Sequence, residues 1–524
     1  MTINFSPYAN YGYVSIKKQS GATIVLPDTP IRITSESLLP SYGKQDINEV
    51  SGDRERYIRS IQGLVEFGGD IEFFVEEKQI GHFFTALYGT PSSQDVFGDG
   101  TAYRHVWGVE DDDNVYTIDI QPGDAPWKHR FGSVHVSQIE LSREDNAIKC
   151  VVSLMPTKGF ITARVTTSVN SGTALALDQT TGLTTADTIL VLSKETGYTT
   201  LAELTIAAIV SETALTVSTI GVQLDVGDIV VLKTSAVDDT DYDQCVPLQF
   251  ANGMEFYSGS DIDNTTEEKI EDFTITLQNE LEARYASGDN EVSRMPNEVY
   301  IKGYMSSGQI TKTYNDESYI DKLRANASFG ARYRFNSHEV VTANAAQKAK
   351  TTWGANGFYI EATTAGRAGN DYNVTIIIND TDDLAASISG KNVLIELAST
   401  TASKNTGTLI AAAVNALSGV DAAANGTGAT QFTAAEPNVN LGSAVGATGS
   451  SATVDQVGAD ASQRAYLQLD FSCAQIEPFF VNNEEDNLIT QEIPFKFYKD
   501  VDATDDQRKN WSGKVYLYNS KASY

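Results

Sequence analysis

The chain has little of what enzymes and secreted scaffolds rely on. Only three cysteines occur in 524 residues, Cys150, Cys245 and Cys473. None has the spacing of a CxxC or zinc motif, which excludes a disulfide framework and predicts reduced thiols in a protein made in a cytosol. The five histidines (His82, His105, His129, His135, His338) are scattered, with no pair at ligand spacing. Neither a Gly-x-Ser-x-Gly elbow nor a His-Glu-x-x-His helix occurs. The longest apolar stretch, Leu201–Val210, is too short and too interrupted to cross a bilayer. The segment Met1-Thr-Ile-Asn-Phe5 lacks a basic region followed by an apolar run, so no secretory leader is expected. These absences predict a protein that is not an enzyme and needs no cofactor or metal.

Basic residues are short too: 38 Lys and Arg against 69 Asp and Glu give a formal net charge of −31. That balance argues against ordinary phosphate-backbone binding and against an anionic membrane surface. Two readings of the acidity stay open: plain solubility, or a wall along which DNA slides because like charges repel. The clusters Asp111–Asp113, Asp238–Asp243 and Asp380–Asp383 lack the EF-hand pattern and read as solvated turns. Gly366-Arg-Ala-Gly-Asn370 lacks the Lys-Ser/Thr ending of a phosphate loop and reads as a turn with glycine at positive φ. The tryptophans Trp107, Trp127, Trp353 and Trp511 read as core anchors, with Trp127 equally suited to an interface.

What is present is β-sequence, much of it written twice. The length exceeds what one core can organise and predicts about three or four domains, while abundant Thr, Tyr, Phe and Val in short alternating runs favours strands. Ile31–Glu36, Arg59–Gly63 and Gly68–Ile71 are echoed by Phe273–Gln278, Tyr300–Gly303 and Gly308–Ile310, and Gln138-Ile-Glu140 by Gln475-Ile-Glu477. In the first copy, short strands near 23–26 and 30–35 lead to a polar loop, Pro40–Arg56. A loop of that length is either a surface excursion or a reach toward a neighbour. A strand follows at Tyr57–Val75, with a bulge or a sharp bend expected at Gly68-Gly69. The spacing of Ile80, Phe83, Phe84 and Leu87 predicts a helix over Glu76–Tyr88, with Gly89 at its C-cap. Strands are predicted at 103–109, 115–121, 132–141 and 147–155. The second copy spans Val246–His338 and Gln463–Tyr524, with a helix at Asp316–Phe329 presenting Ile320, Leu323 and Ala327.

Two inserts interrupt the copies. Ala163–Asp238 has an internal echo, Thr173–Leu177 and Gly182–Leu192 against Thr213–Val217 and Val222–Leu232, which suits a small β-barrel. Ala343–Asp460 is predicted to hold strands at 357–362, 373–378 and 392–397. A helix is predicted at Thr406–Ala416 with Leu409, Ala413, Val414 and Leu417 on its apolar face, and Gly442–Gly458 reads as an extended return linker.

The run Ile61–Ile71, the helix after it, Trp127–Met155, and the second-copy run Lys269–Phe335 together resemble the tail tube proteins of tailed bacteriophages. The second insert resembles a domain of tail-sheath and other virion proteins through Gly366–Asn370 and Ala411–Ala416, and the first is similar to small β-domains that decorate virions. The resemblance implies a mainly β fold: two tube-type β-sandwich or open-barrel domains, each with one flanking helix, plus an inserted small β-barrel and an inserted α+β domain. The boundaries expected are 1–160 and 243–342 with 462–524 for the two tube copies, and 161–242 and 343–461 for the inserts. It further implies a virion tail protein, made in the host cytoplasm, that assembles with itself as a trimer forming a pseudo-hexameric ring, or as a hexamer. Such rings stack and meet a tape measure and a tail terminator, and viral DNA passes without sequence-specific binding or a membrane. Alternation with Ile31 and Ile33 inward makes Arg32, Thr34 and Glu36 channel candidates, together with Gln62, Glu66, Asp70 and Glu72. Gly43, Asp46, Glu49, Asp53, Arg54 and Arg56 are candidates for contact with the next ring, with Glu280–Glu298 as the second-copy counterpart of that loop. Two alternatives stand beside this one. A tail-sheath or other tail component is suggested by the second insert, though extended terminal arms are lacking. A carbohydrate-binding virion adhesin would also use repeated β-domains.

Overall fold

A computed structural model describes residues 12–47, 59–96, 101–109, 114–195, 199–234, 245–285, 295–314, 317–341, 348–441, 452–456, 463–482, 489–499 and 512–524, apart from 22, 124, 252, 261, 263, 264 and 480. The protein is mainly β. Its organising element is a sheet of eight strands: β1 (Leu39–Ile47), β2 (Arg59–Phe74), β3 (Trp127–Glu144), β4 (Ala147–Phe160), β5 (Asp272–Arg284), β6 (Glu298–Thr313), β7 (Gln463–Ile476) and β8 (Thr490–Tyr498). They pair in the order β1-β2-β4-β3-β5-β6-β8-β7, every pair antiparallel. Strict alternation builds it: Val65, Phe67, Ile71 and Phe73 of β2 are buried, as are Ile148, Cys150 and Val152 of β4 and Phe273, Ile275 and Leu277 of β5. Their neighbours in sequence point to the other face.

A second layer covers the apolar side. Tyr13–Lys18 pairs with Thr29–Ile31 and with Tyr116–Gln121, which in turn pairs with the first half of β3. In the C-terminal half, Met254–Gly259 pairs with Thr265–Glu268 and with Phe329–Val341, which pairs with β7. Strand Lys514–Asn519 joins β7 to Tyr103–Gly108. One continuous apolar core, running from Val14 to Leu517, lies between the layers. Helix α1 (Ile80–Tyr88) closes one end with Ile80, Phe83, Phe84 and Leu87 buried, the face the spacing predicts. Its end is fastened to the other half of the chain: the Tyr88 and Tyr304 hydroxyls lie 2.5 Å apart, and Asn279 Nδ2 donates to the Leu87 carbonyl at 2.9 Å.

Several expectations are corrected. Pro40–Ile47 is not loop but strand β1, so the polar segment is one arm of a hairpin with β2. Glu280–Arg284 is likewise the end of β5, paired with β6. Polar side chains do not prevent pairing when an edge strand keeps both faces in water. Against β2 the register is the same on both sides of Gly68-Gly69, with Glu36 opposite Ile71 and Leu39 opposite Gly68, and it shifts instead between Tyr42 and Lys44. Gly69 is needed for a different reason: a Cβ there would stand 2.4 Å from the Ser37 carbonyl oxygen. Helix α2 is Ser318–Ala325, and its buried residue is Tyr319 rather than Ile320.

Residues 163–233 form six short strands around their own core. The echoed segments pair with each other, Leu175 opposite Leu215 and Leu190 opposite Val231, as a pseudo-twofold unit would. Residues 348–456 form two four-stranded sheets with α3 (Gly407–Val414) packed on a separate core. Strands Phe358–Ala362, Asn373–Ile378 and Asn392–Leu397 lie where alternation puts them. Ala452–Gln456, expected as linker, is a strand paired with Lys350–Trp353. In α3 the buried side chains are Ile410, Ala411 and Val414, and Leu409 faces out at 45% exposure. The N-cap at Thr406, which accepts from the Leu409 N–H, fixes the phase. Truncating Ile410 to Ala should therefore destabilise the second insert by about 2–5 kcal/mol. Leu409→Ala should cost less than about 0.5 kcal/mol, the two being compared by calorimetry.

Candidate functional site: the polar face and open edges of the sheet

Opposite the core, the eight strands present a polar face. On β2 it carries Glu66, Asp70 and Glu72; on β3, Gln138 and Glu140; on β5, Thr274, Thr276 and Gln278. Carboxylates outnumber cations, and the lysines present are engaged. Lys149 lies 3.0 Å from Glu72 and 3.3 Å from Glu144, and Lys496 lies 2.5 Å from Glu477. The hydrogen bond from Lys149, then one from Ser35, holds the Glu72 carboxyl below its ordinary range. Ser153 Oγ donates to Asp70 at 2.6 Å. The face is thus mainly anionic where it is charged and hydroxyl- or amide-bearing over much of the rest, with Leu64 and Met305 as exposed apolar side chains on it.

Of the channel candidates, Glu66, Asp70 and Glu72 share this face. Gln62 lies on the hairpin arm opposite Lys44. Thr34 stands at the rim, its hydroxyl donating to the Glu72 carbonyl at 3.1 Å. Arg32 turns elsewhere: its N–H donates to Gln79 Oε1 at 3.2 Å, and Gln79 Nε2 donates back to its carbonyl at 2.9 Å. Glu36 is directly opposite Ile71, while Ser35 is opposite Glu72. Glu36 therefore belongs to the core-side register, and burial pushes its carboxyl up. The chain leaves strand geometry between Ile31 and Ser35, so the alternation begun at Ile31 does not carry through. Gly43 and Asp46 lie in β1, and Glu49, Asp53, Arg54 and Arg56 lie outside the described residues.

The sheet ends in two open edges. No strand pairs with the outer side of β1 among the described residues, nor with the outer side of the chain from Gln475 to Phe479 beyond β7. The hairpin arms also expose large apolar side chains: Leu39 at 58%, Tyr42 at 68%, with Ile61 and Leu64 on the first arm and Tyr300 and Met305 on the second. Clustered exposure of this kind marks a contact surface more than scattered residues would.

The histidines are packing elements. Burial pushes His82 down to about 3 and His105 down to about 4, and both neutral rings lie edge-on to Tyr524, at 5.1 and 4.9 Å.

Sequence reasoning missed the groups that seat the inserts. Arg130 on β3 is fully buried and binds Asp119 through two bonds, at 2.7 and 2.9 Å. It also reaches Asp187 of the first insert at 2.6 Å. Lys128 adds a contact to Asp119 at 2.7 Å. Burial alone would lower the Arg130 pKa, but the two carboxylates outweigh it and keep the guanidinium charged. The second half uses the pair with its signs exchanged: Arg332 of Phe329–Val341 binds Asp470 of β7 at 2.8 and 2.9 Å. Burial pushes the Asp371 carboxyl of the second insert up, and Arg332 first among nearby cations pulls it below its ordinary value. The available signal was Asp119 set between Ile118 and Ile120 on a buried strand, a charge that requires a partner. Replacing Arg130 by Met should leave buried Asp187 without its cation and Asp119 with Lys128 alone, and cost about 3–5 kcal/mol, whereas removing the exposed Lys233–Glu203 pair should cost under about 1 kcal/mol. Thermal denaturation of each variant checks this.

A family model described as phage tail tube protein matches residues 12–357 of the chain. None of the curated proteins matches it.

Proposed function

The chain belongs to the phage tail tube protein family, structural components of the virion tail, and from that premise we propose that three copies close into a ring and that stacked rings form the channel for the genome. The carrying observation is the stagger of the eight-stranded sheet. Followed straight across, Ile71 leads to Val152, Ile139, Leu277 and Ser306. Ser306 stands four residues before Ile310, the residue that occupies in Gly308–Ile310 the place Ile71 occupies in Gly69–Ile71. A slip of four residues over four strands, with about 3.3 Å per residue and about 4.8 Å between strands, corresponds to strands tilted by about 35°. That is the tilt of a closed barrel.

Closure by one chain would give eight strands, an interior that side chains fill. Three chains give twenty-four, a backbone diameter of about 45 Å, wide enough for a hydrated duplex. In this reading the polar face lines the bore, with Glu66, Asp70 and Glu72 in the wall and viral DNA passing without base readout. Residues 1–160, and 243–342 with 462–524, are two copies of one tube unit; 161–242 and 343–461 are inserts carried on the outer layer. A register parallel supports the duplication. Tyr42 opposite Val65 and then Lys44 opposite Gln62 repeat as Asn279 opposite Tyr304 and then Leu281 opposite Ile301. This parallel aligns Glu36, not Ile31, with Phe273. The hairpin arms β1 and β5 point toward the next ring, and a tape measure and a terminator meet the bore and the tube's end.

Purified protein should form hollow tubes whose rings show threefold symmetry in electron micrographs. A gold-maleimide label on Glu66→Cys should appear within the bore; label on the outside, or solid filaments, would refute the assignment.

A further inference from the structure

The chain contains one finished joint between its two halves and two unfinished edges, and the first is a template for the second. In the finished joint β5 lies along β3, with Leu277 opposite Ile139 and Gln278 opposite Gln138. The register parallel that places Phe273 at Glu36 places Leu277 at Pro40 and Gln278 at Ser41. On the other side, Gln138 is opposite Ser153, and the Glu477 N–H donates to the Pro494 carbonyl at 2.9 Å. Ser153 is opposite Asp70 and Pro494 is opposite Gln309, which makes Glu477 the counterpart of Gln138 and Pro478 the counterpart of Ile139.

Resting on the ring reading, we propose that β1 of one protomer pairs with the segment following β7 of a second copy of this chain in that same register, and that the proline pair at its centre is a brake on self-association. Both prolines turn their missing N–H to the open side. Ser37 donates inward to the Asp70 carbonyl at 2.9 Å, so alternation turns the nitrogen of Pro40 outward. Glu477 donates inward to Pro494, so the nitrogen of Pro478 is outward too. Where the internal joint has Leu277 facing Ile139, the joint between protomers has two residues that cannot donate. Proline on an open edge is a device against premature strand pairing. The same alignment accounts for Tyr42, 68% exposed: it occupies the place of Asn279, which inside the chain is bonded to the end of α1. In the ring it covers the end of α2 of the neighbour.

The test uses the full chain, with Cys245 replaced by Ser to remove a background thiol. Ser41→Cys with Glu477→Cys places the thiols at a non-hydrogen-bonded position of the joint, where Cα atoms approach to about 4.5 Å and a disulfide is geometrically allowed. Oxidation of assembled protein should give a ladder ending in closed trimer. Pro40→Val with Pro478→Val, its fold checked by melting temperature, should lower the protein concentration required for assembly at least tenfold. Rings that form without the cross-link, or an unchanged assembly threshold in the valine variant, would overturn the proposal while leaving the ring standing. Failure of the unmodified chain to form rings under any condition would remove the ring reading, and this inference with it.

Discussion

Backbone hydrogen bonding at the ends of a sheet is the constraint from which the rest of this structure follows. An antiparallel sheet is satisfied in its middle and unsatisfied at its rims, where a row of N–H and C=O groups is exposed to water or to any other strand. In this chain β5 consumes one rim of β3, which joins strands of the two halves into one eight-stranded sheet. That joint satisfies two rims and leaves two open among the described residues. Those are where Leu39 and Tyr42 stand exposed and where Pro40 and Pro478 interrupt the donor row. In the proposed ring the apolar side chains would favour association and the prolines would weaken it, a combination suited to a structural protein that waits for its neighbours.

The two layers divide the work between cohesion and passage. The core side holds one apolar cluster contributed by both halves, whose burial at about 25 cal/mol per Å² of apolar surface is the main stabilising term. Because α1 of one half is bonded to β6 of the other through Tyr88 and Tyr304, the halves are not hinged units. Buried charge ties residues 163–233 to the main sheet. Asp119–Arg130 and Arg332–Asp470 are cross-strand pairs with exchanged signs; Arg130 also binds Asp187, while Asp371 feels the charge of Arg332 and is bonded to Lys391. A hydrophobic contact of the same size would tolerate sliding; a guanidinium shared between two carboxylates does not. What such pairs give up in desolvation they return as a fixed orientation of the insert on the outer layer.

The legible part of this fold is the part governed by periodicity. Helix α1 and the strands at 59–74, 116–121, 373–378 and 392–397 follow from alternation or from spacing of three and four, even though α1 and 116–121 are buried on nearly every side. Segments whose environment changes along their length were not legible. Ile31–Glu36 crosses from one strand to another, so Glu36 falls on the face opposite to that of Asp70 and Glu72. Pro40–Ile47 is polar on both faces because its exposed arm needs no apolar side, and such a strand has the composition of a loop. In α3 the pattern offered two apolar faces, and only the cap at Thr406 distinguishes Ile410 from Leu409. The acidic face was half legible: Glu66, Asp70 and Glu72 stand in one strand, but their lysine and serine partners come from β4 and the 35–36 segment, which only tertiary pairing brings near.

The distribution of charge on that face bears on how a bore would treat DNA. Carboxylates are spread across that face, with Glu66, Asp70 and Glu72 on β2, Glu140 on β3, Asp272 and Glu280 on β5 and Glu492 on β8, and with Thr274, Thr276, Gln278, Ser307 and Gln309 between them. In the proposed ring of three chains every sector of the wall would therefore carry carboxylates with neutral polar groups between them. At physiological ionic strength repulsion extends only about 8 Å from each carboxylate, so they would keep phosphates from settling on the wall without opposing movement along the axis. The hydroxyl and amide groups could hydrogen-bond phosphate oxygens, but beside carboxylates those contacts would be brief. Lysines would change the outcome, since each free cation on the wall is a counterion for the backbone. Lys149 and Lys496 on this face are each held by a carboxylate, so in the proposed bore neither is a cation that DNA could claim at no cost.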